Sequence, residues 1–239
     1  MLRKISYLKI TATATAALLF FIITGIILYK SSTDNAEYAF AENHNSRMLI
    51  IDPGHGGADG GAVAADGSKE SEINLQLSKK LNELAGILGV NTLMTRDSED
   101  LPYPSELNTI GQMKRWDQRR RLEIINSHES AVFISIHQNI FPDPRPYGPQ
   151  VLYGQASASE ALGEICHKLL NEKLCPENRR LPAAASKDIY LMKNAKCTAI
   201  LVECGFISNE AELYRLKDET YQKKLAAVIL KSYLDFSAQ

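Results

Sequence analysis

Residues 48–57 read Met48-Leu49-Ile50-Ile51-Asp52-Pro53-Gly54-His55-Gly56-Gly57. The apolar run at the start has the length and composition of a short buried strand. Pro53 and Gly54 then break it into a tight loop. His55 is therefore held at the C-terminal tip of a strand, among glycines that let another group approach the backbone closely. In open α/β sheets that edge is where ligands bind. One histidine in a glycine-rich turn is weak evidence, so its weight depends on what stands at the tips of the other strands.

Two further runs repeat the pattern. Ala131-Val132-Phe133-Ile134-Ser135-Ile136 reads as a buried strand ending in His137, and Thr198-Ala199-Ile200-Leu201-Val202 as another ending in Glu203. An acid directly after such a run is costly to bury unless it has a partner. Shorter strands are expected at Val90–Thr95, Gln150–Tyr153 and Asp188–Met192. The spacing of Ile73, Leu77, Leu81, Leu84 and Leu88 predicts a helix that opens near Glu70 and Glu72, whose charges suit a helix N-terminus. Ala158, Leu162, Ile165 and Leu169 mark a second helix. Another carries Arg119-Arg120-Arg121, read as a solvated face, and ends near Asn126. A last helix spans Glu219–Phe236, with Leu225, Ile229, Tyr233 and Phe236 inward. Asn209 and Glu212 have the spacing of a capping box. Ser98–Arg115 reads as a long irregular loop, with Tyr103 and Trp116 packed beneath it or stacked on a sugar ring. Strands alternating with helices predict an α/β fold, a mostly parallel sheet with helices on both faces.

The chain has 239 residues, of which 45% are hydrophobic and 23% charged, and its net charge is −1. That suffices for one good-sized core, and the lack of a basic excess argues against nucleic acid as a partner. Residues 10–29 carry no charge, and about 20 such residues span a bilayer. Arg3, Lys4 and Lys9 precede this run and Lys30 alone follows closely, which keeps the N-terminus inside and sends the rest out. The segment is expected to be a retained membrane anchor. The alternative is a signal peptide, for which Ala39-Phe40-Ala41 has the form of a cleavage site. Ser31–Arg47 is polar and aperiodic, a linker. Residues 1–47 are thus anchor and linker, and residues 48–239 a single, exported functional domain. Cys166, Cys175, Cys197 and Cys204 match no zinc-ribbon or redox spacing. Buried free thiols are expected, with a Cys166–Cys175 disulfide the alternative in an oxidising compartment.

If the strands are parallel, His55, His137 and Glu203 open on one edge, with Glu70 close to the first in sequence. Two imidazoles and one carboxylate are a common catalytic zinc set that leaves a position for water. Zinc acidifies that water and polarises a carbonyl, and a second carboxylate then moves the proton to the leaving amine. Glu70 and Glu203 can divide these roles, but spacing alone does not say which of them binds metal. His44, His128 and His167 are assigned surface or capping roles, and Cys204 is read as a small core filler.

These motifs resemble those of the zinc-dependent N-acetylmuramoyl-L-alanine amidases of bacterial cell walls, the amidase_3 type. The residues that carry the resemblance are Asp52-Pro53-Gly54-His55-Gly56-Gly57, Glu70 with Ile73-Asn74-Leu75, Ser135-Ile136-His137-Gln138-Asn139, and Val202-Glu203-Cys204-Gly205-Phe206-Ile207-Ser208-Asn209. Thr95-Arg96, Arg121 with Asn126, Asn178-Arg179 and Tyr221-Gln222 add to it. The resemblance implies one Zn2+ held by His55, Glu70 and His137, with Glu203 as general base. It implies peptidoglycan as substrate, cleaved between the lactyl group of muramic acid and L-alanine, on a twisted sheet of about six strands. With residues 10–29 as anchor or signal, the expected location is the outer face of the cytoplasmic membrane or the cell wall, and the need for an activator protein stays open. An anchor followed directly by the domain is similar to the amidases that act in muramic-δ-lactam formation in spore cortex. Thr198 departs from the family, where proline is frequent, and Phe141–Pro149 leaves little room for the inhibitory helix that some relatives insert. The rivals are a carboxypeptidase-like zinc enzyme, which needs Arg121 or Arg179 for a terminal carboxylate, and a non-catalytic wall-binding protein.

Overall fold

The computed structural model describes residues 47–239 together with Thr24. Apart from Thr24 and Arg47, the expected anchor and linker, with His44, lie outside the described residues. Among the described residues no helix is long and apolar enough to cross a membrane.

The elements in chain order are β1 (Leu49–Pro53), α1 (Glu70–Ile87), β2 (Thr92–Met94), α2 (Ile110–Asn126), β3 (Val132–Asn139), β4 (Gln150–Tyr153), α3 (Ser159–Leu174), β5 (Ala183–Ala184), α4 (Tyr190–Asn194), β6 (Thr198–Phe206), α5 (Glu210–Lys217) and α6 (Glu219–Ser237). The six strands form one sheet in the order β2-β1-β3-β6-β4-β5. β2, β1, β3 and β6 are parallel, β4 runs antiparallel to β6, and β5 is parallel to β4. The α/β class and the mostly parallel sheet are as expected.

The central strands read as unbroken apolar runs because both of their faces are covered. Leu49, Ile51, Val132, Ile134, Ile200 and Val202 pack against Leu77 and Leu81 of α1, Leu162 of α3 and Leu225, Ile229 and Tyr233 of α6. The alternate residues Ile50, Phe133, Ala199 and Leu201 face the other way, onto Ile125 of α2 and Met192 of α4. This second core is the smaller. It ends partway along the strands, and the remainder of that face is a cleft.

Several expectations are corrected. Asp188–Met192 is not a strand. Asp188 N–H donates to the Ser186 hydroxyl, which starts a turn, and the apolar residues continue into the short helix α4. Apolar runs of this length do not discriminate strand from helix. The Ser98–Arg115 loop is shorter than expected, because α2 begins at Ile110 behind a Thr109–Gln112 capping box. The buried face of α3 is Leu162, Cys166 and Leu170 rather than Leu162, Ile165 and Leu169. Leu88 lies beyond α1 and is exposed. Cys166 and Cys175 are free thiols, as are Cys197 and Cys204, and all four are buried.

Candidate active site

His137 and Glu203 do not sit beyond the strand ends. β3 and β6 run on to Asn139 and Phe206, and His137 and Glu203 are register partners within the sheet. Alternation then sets the geometry. Asp52, Ser135, His137 and Glu203 each lie two or four residues beyond Ile50, Phe133 or Leu201, so all project from the less covered face. There they line a cleft of about 300 Å³, walled by Lys114, Asp117 and Gln118 of α2 and by Ile189, Tyr190 and Leu191. A wider groove of about 850 Å³ runs along α5 beside Tyr214, but none of the convergent ionisable residues lines it.

Glu70, the first residue of α1, is 4% exposed and joins the two histidines. Its Oε2 lies 3.3 Å from His55 Nε2, and its Oε1 lies 2.9 Å from His137 Nδ1. The same oxygens accept N–H groups from Ala62 at 2.9 Å and Gln138 at 3.1 Å. Asn74, one turn along α1, donates to Oε1 at 3.4 Å and is itself buttressed by Gln138. Glu70 therefore serves the histidines and not its own helix terminus. One ligand atom from each of His55, Glu70 and His137 falls within 4.8 Å of the others.

The loop that carries His55 is clamped by its carbonyls. Pro53 O accepts from Arg96 Nε at 2.9 Å and Arg121 Nη1 at 2.7 Å. Gly54 O accepts from Arg96 Nη2 and Asn74 Nδ2, both at 3.1 Å. His55 O accepts from Arg121 Nη2 at 2.5 Å. These bonds hold His55 at φ 60°, a left-handed backbone that costs a non-glycine residue roughly 1–2 kcal/mol. Arg121 is in turn paired with Asp52 at 2.8 Å and Asp117 at 2.6 Å, and Asp52 accepts from Thr95 and Ser135, each at 2.6 Å. Arg121 is thus buried, not part of a solvated triplet. Three consecutive residues on a helix point in different directions, and one of them faces the sheet.

Electrostatics divide the two glutamates. Burial pushes Glu70 up, but the two imidazoles outweigh it and hold its carboxyl well below the usual range. Burial pulls His55 down, yet its hydrogen bonds to Asp59 and Glu70 raise it to about 9. Burial pushes Glu203 up to about 7, against the pull of His137 and with the Glu70 charge adding to the rise. Glu203 Oε2 is buried without a hydrogen-bond partner. Such an orphan costs about 1–3 kcal/mol, a reason to look for a ligand or water that completes it.

The other named residues take structural places. His128 bonds Ser127 and the Ile124 carbonyl, and His167 Nε2 bonds Arg180 O at 2.7 Å. Cys204 is wholly buried, and burial drives its thiol well up. Tyr103 and Trp116 pack edge to face, 5.5 Å between centroids, and the Tyr103 hydroxyl donates to Gly56 O. Arg121 has its guanidinium occupied by Asp52 and Asp117, and Arg179 is exposed beside Glu177, so neither presents a free cation to the cleft. Asn209 caps α5, but Glu212 does not reciprocate. It turns inward to the N–H groups of Gly148 and Phe206, each at 2.9 Å. The residue that sequence reasoning missed is Asp59, whose Oδ2 lies 2.9 Å from His55 Nδ1. Its signal was an acid one short loop after the histidine.

Residues 49–233 match the Amidase_3 family, described as N-acetylmuramoyl-L-alanine amidase. The germination-specific N-acetylmuramoyl-L-alanine amidase of Bacillus subtilis is 31% identical over 220 residues, which cover 91% of each chain. The CwlD amidase of Clostridioides difficile, solved in complex with the GerS lipoprotein, superimposes with a TM-score of 0.75 at 35% identity, over 79% of this chain and 98% of that one. The amidase AmiC2 of Nostoc punctiforme follows with a TM-score of 0.67 at 25% identity, over 81% and 98%. With its sheet, its cleft and its sequence all in agreement, the chain belongs to the Amidase_3 family and is an N-acetylmuramoyl-L-alanine amidase.

Proposed function

We propose that the chain performs this hydrolysis with zinc held by His55, Glu70 and His137 and with Glu203 as general base. The donor set fits the ion. Two imidazoles and a carboxylate are a frequent catalytic zinc set, and their ligand atoms already converge. Zinc there supplies Lewis acidity towards a carbonyl and makes water a stronger acid. The observation that carries the reading is Glu203 Oε2, buried, unpartnered and on the same sheet face as His137. That oxygen takes the proton from the attacking water and returns it to the departing L-alanine nitrogen. The α2 wall and the Ile189–Leu191 wall confine the substrate between them.

Within that activity the substrate is assigned to spore-cortex peptidoglycan, where loss of the stem peptide leads to muramic-δ-lactam. The germination-specific name of the B. subtilis relative supports this. A lipoprotein activator is the proposed partner, supported by the complex in which the C. difficile relative was solved. Residues 10–29 are proposed to anchor the chain at the outer face of the cytoplasmic membrane.

The test is digestion of purified peptidoglycan by the full-length, zinc-loaded protein. New L-alanine amino termini are expected for wild type and not for Glu203→Gln. Wild-type hydrolysis by Glu203→Gln would remove Glu203 as the base, and new termini inside the stem peptide would mark a peptidase. For the cortex assignment, deleting the gene from its host is expected to leave spores without muramic-δ-lactam.

A further inference from the structure

We infer that Asp59 is a positioning residue that commits His55 to metal binding through Nε2, an inference that rests on the zinc reading above. A neutral imidazole has one N–H and one lone pair, and the hydrogen bond at one nitrogen decides what the other offers. Asp59 Oδ2 lies 2.9 Å from His55 Nδ1, so it accepts that N–H. With Nδ1–H held by Asp59, Nε2, 3.3 Å from Glu70 Oε2, is the nitrogen left to offer its lone pair once a metal displaces its proton. The two histidines are not equivalent in this respect. His137 turns Nδ1 to Glu70, itself one of the three candidate ligands, and among the described residues no carboxylate pairs with its other nitrogen. Of the two candidate histidine ligands, His55 is the one whose Nδ1 is held by a carboxylate outside the ligand set.

Asp59 is built for this place. A two-way backbone bridge between Gly56 and Asp59, with N···O distances of 2.8 and 3.1 Å, closes the loop around His55. Oδ1 accepts the Gly61 N–H at 3.2 Å, which fixes the carboxylate plane. Lys114 of α2 reaches Oδ2 at 2.9 Å. Through Lys114 the wall of the cleft is tied to the orientation of a metal ligand. Outer partners of this kind typically contribute 10–100-fold to metal affinity.

The experiment uses Asp59→Asn in the full-length protein. Asparagine keeps the shape and the Gly61 bond. Its NH2 group then faces His55 Nδ1 and favours the tautomer with the proton on Nε2, the wrong one for the metal. The zinc dissociation constant, measured by competition with a chromophoric chelator, is expected to rise about 10–100-fold. The thermal midpoint of the metal-free protein is expected to fall only slightly, by the loss of the part-exposed ion pairs to His55 and Lys114, because the backbone bridge does not need the carboxylate. Hydrolysis is expected to recover in excess zinc with KM unaltered. Asp59→Ala is expected to weaken zinc as well, and Asp59→Glu to regain part of the affinity. Zinc bound by Asp59→Asn as tightly as by wild type would overturn the inference and leave the zinc reading standing. A fall in the metal-free midpoint large enough to account for the lost affinity would reassign Asp59 to fold stability. A wild-type chain that takes up no zinc would overturn both readings together.

Discussion

Gly54 lies directly against the imidazole of His137. A Cβ added at residue 54 would come within 2.3 Å of Nε2 and 2.4 Å of Cε1. The glycine of the first strand's loop thus makes the space in which the histidine of the third strand stands. Gly54 donates its own N–H to Ile136 O at 2.9 Å, so β1 and β3 are locked side by side at this level.

Gly54→Ala is accordingly expected to displace the His137 ring from Glu70. The loss is of geometry, because the backbone of Gly54 is one that alanine tolerates. Overpacking of this kind costs about 1–3 kcal/mol. Urea denaturation should read that cost. Peptidoglycan hydrolysis is expected to fall by about 100-fold, the penalty typical of a 1 Å misplacement. Retention of wild-type hydrolysis would show that the ring does not need this position.

Asp52→Asn tests the buried ion pair beneath the loop. It removes one of two charges facing Arg121, which is 2% exposed. Breaking a buried pair destabilises by about 3–5 kcal/mol, and the surviving Asp117 contact should hold the cost to the lower end. The wild type carries a matching pH dependence. Burial pushes Asp52 up, but Arg121 and the Ser135 and Thr95 hydroxyls more than reverse it, so its folded pKa lies below the ordinary 3.8. Its stabilisation is therefore complete above pH 3.8 and is lost as pH falls towards the folded value. Stability measured from pH 6 down to pH 2 should fall more steeply for wild type than for Asp52→Asn. Parallel curves would assign the acid sensitivity to other groups.

Removing metal should act on stability as well as on rate. A chelator is expected to abolish hydrolysis reversibly. Zinc at 100 times its dissociation constant adds about 2.7 kcal/mol to the folded state, visible as a higher thermal midpoint. His137→Ala should abolish that shift. A midpoint indifferent to zinc would contradict the His55, Glu70 and His137 assignment.

The thiols offer a check on the core. Burial lifts Cys166 to about 12 and Cys197 to about 11, and reactivity requires thiolate and access. A thiol reagent at pH 8 should leave all four cysteines untouched in the native protein and titrate four after unfolding. A cysteine that reacts in the native state at the unfolded rate would be misplaced here.

Much of the site was legible in the linear chain. His55, His137 and Glu203 each end an apolar run, and a buried parallel strand writes itself as such a run. Glu70 opens a helix whose leucine spacing is plain. The failures have local causes. Arg121 was hidden in a basic triplet, since only the packing of the Asp117, Arg121 and Ile125 face of α2 turns one of the three inward. Asp188–Met192 was too short to choose between strand and helix. β5, two residues paired to β4, leaves no pattern to read.

The sequence by itself determined the central strands β1, β3 and β6, the long helices between them and the four ionisable residues, because hydrophobic periodicity and strand-end chemistry are local properties. Only the tertiary structure decided that His137 and Glu203 lie on a sheet face and not beyond its edge, that Arg121 is buried, and that Asp59 stands behind His55. Those facts depend on register between strands and on which helix covers which half of a face, and register is fixed by contacts between residues far apart in the chain.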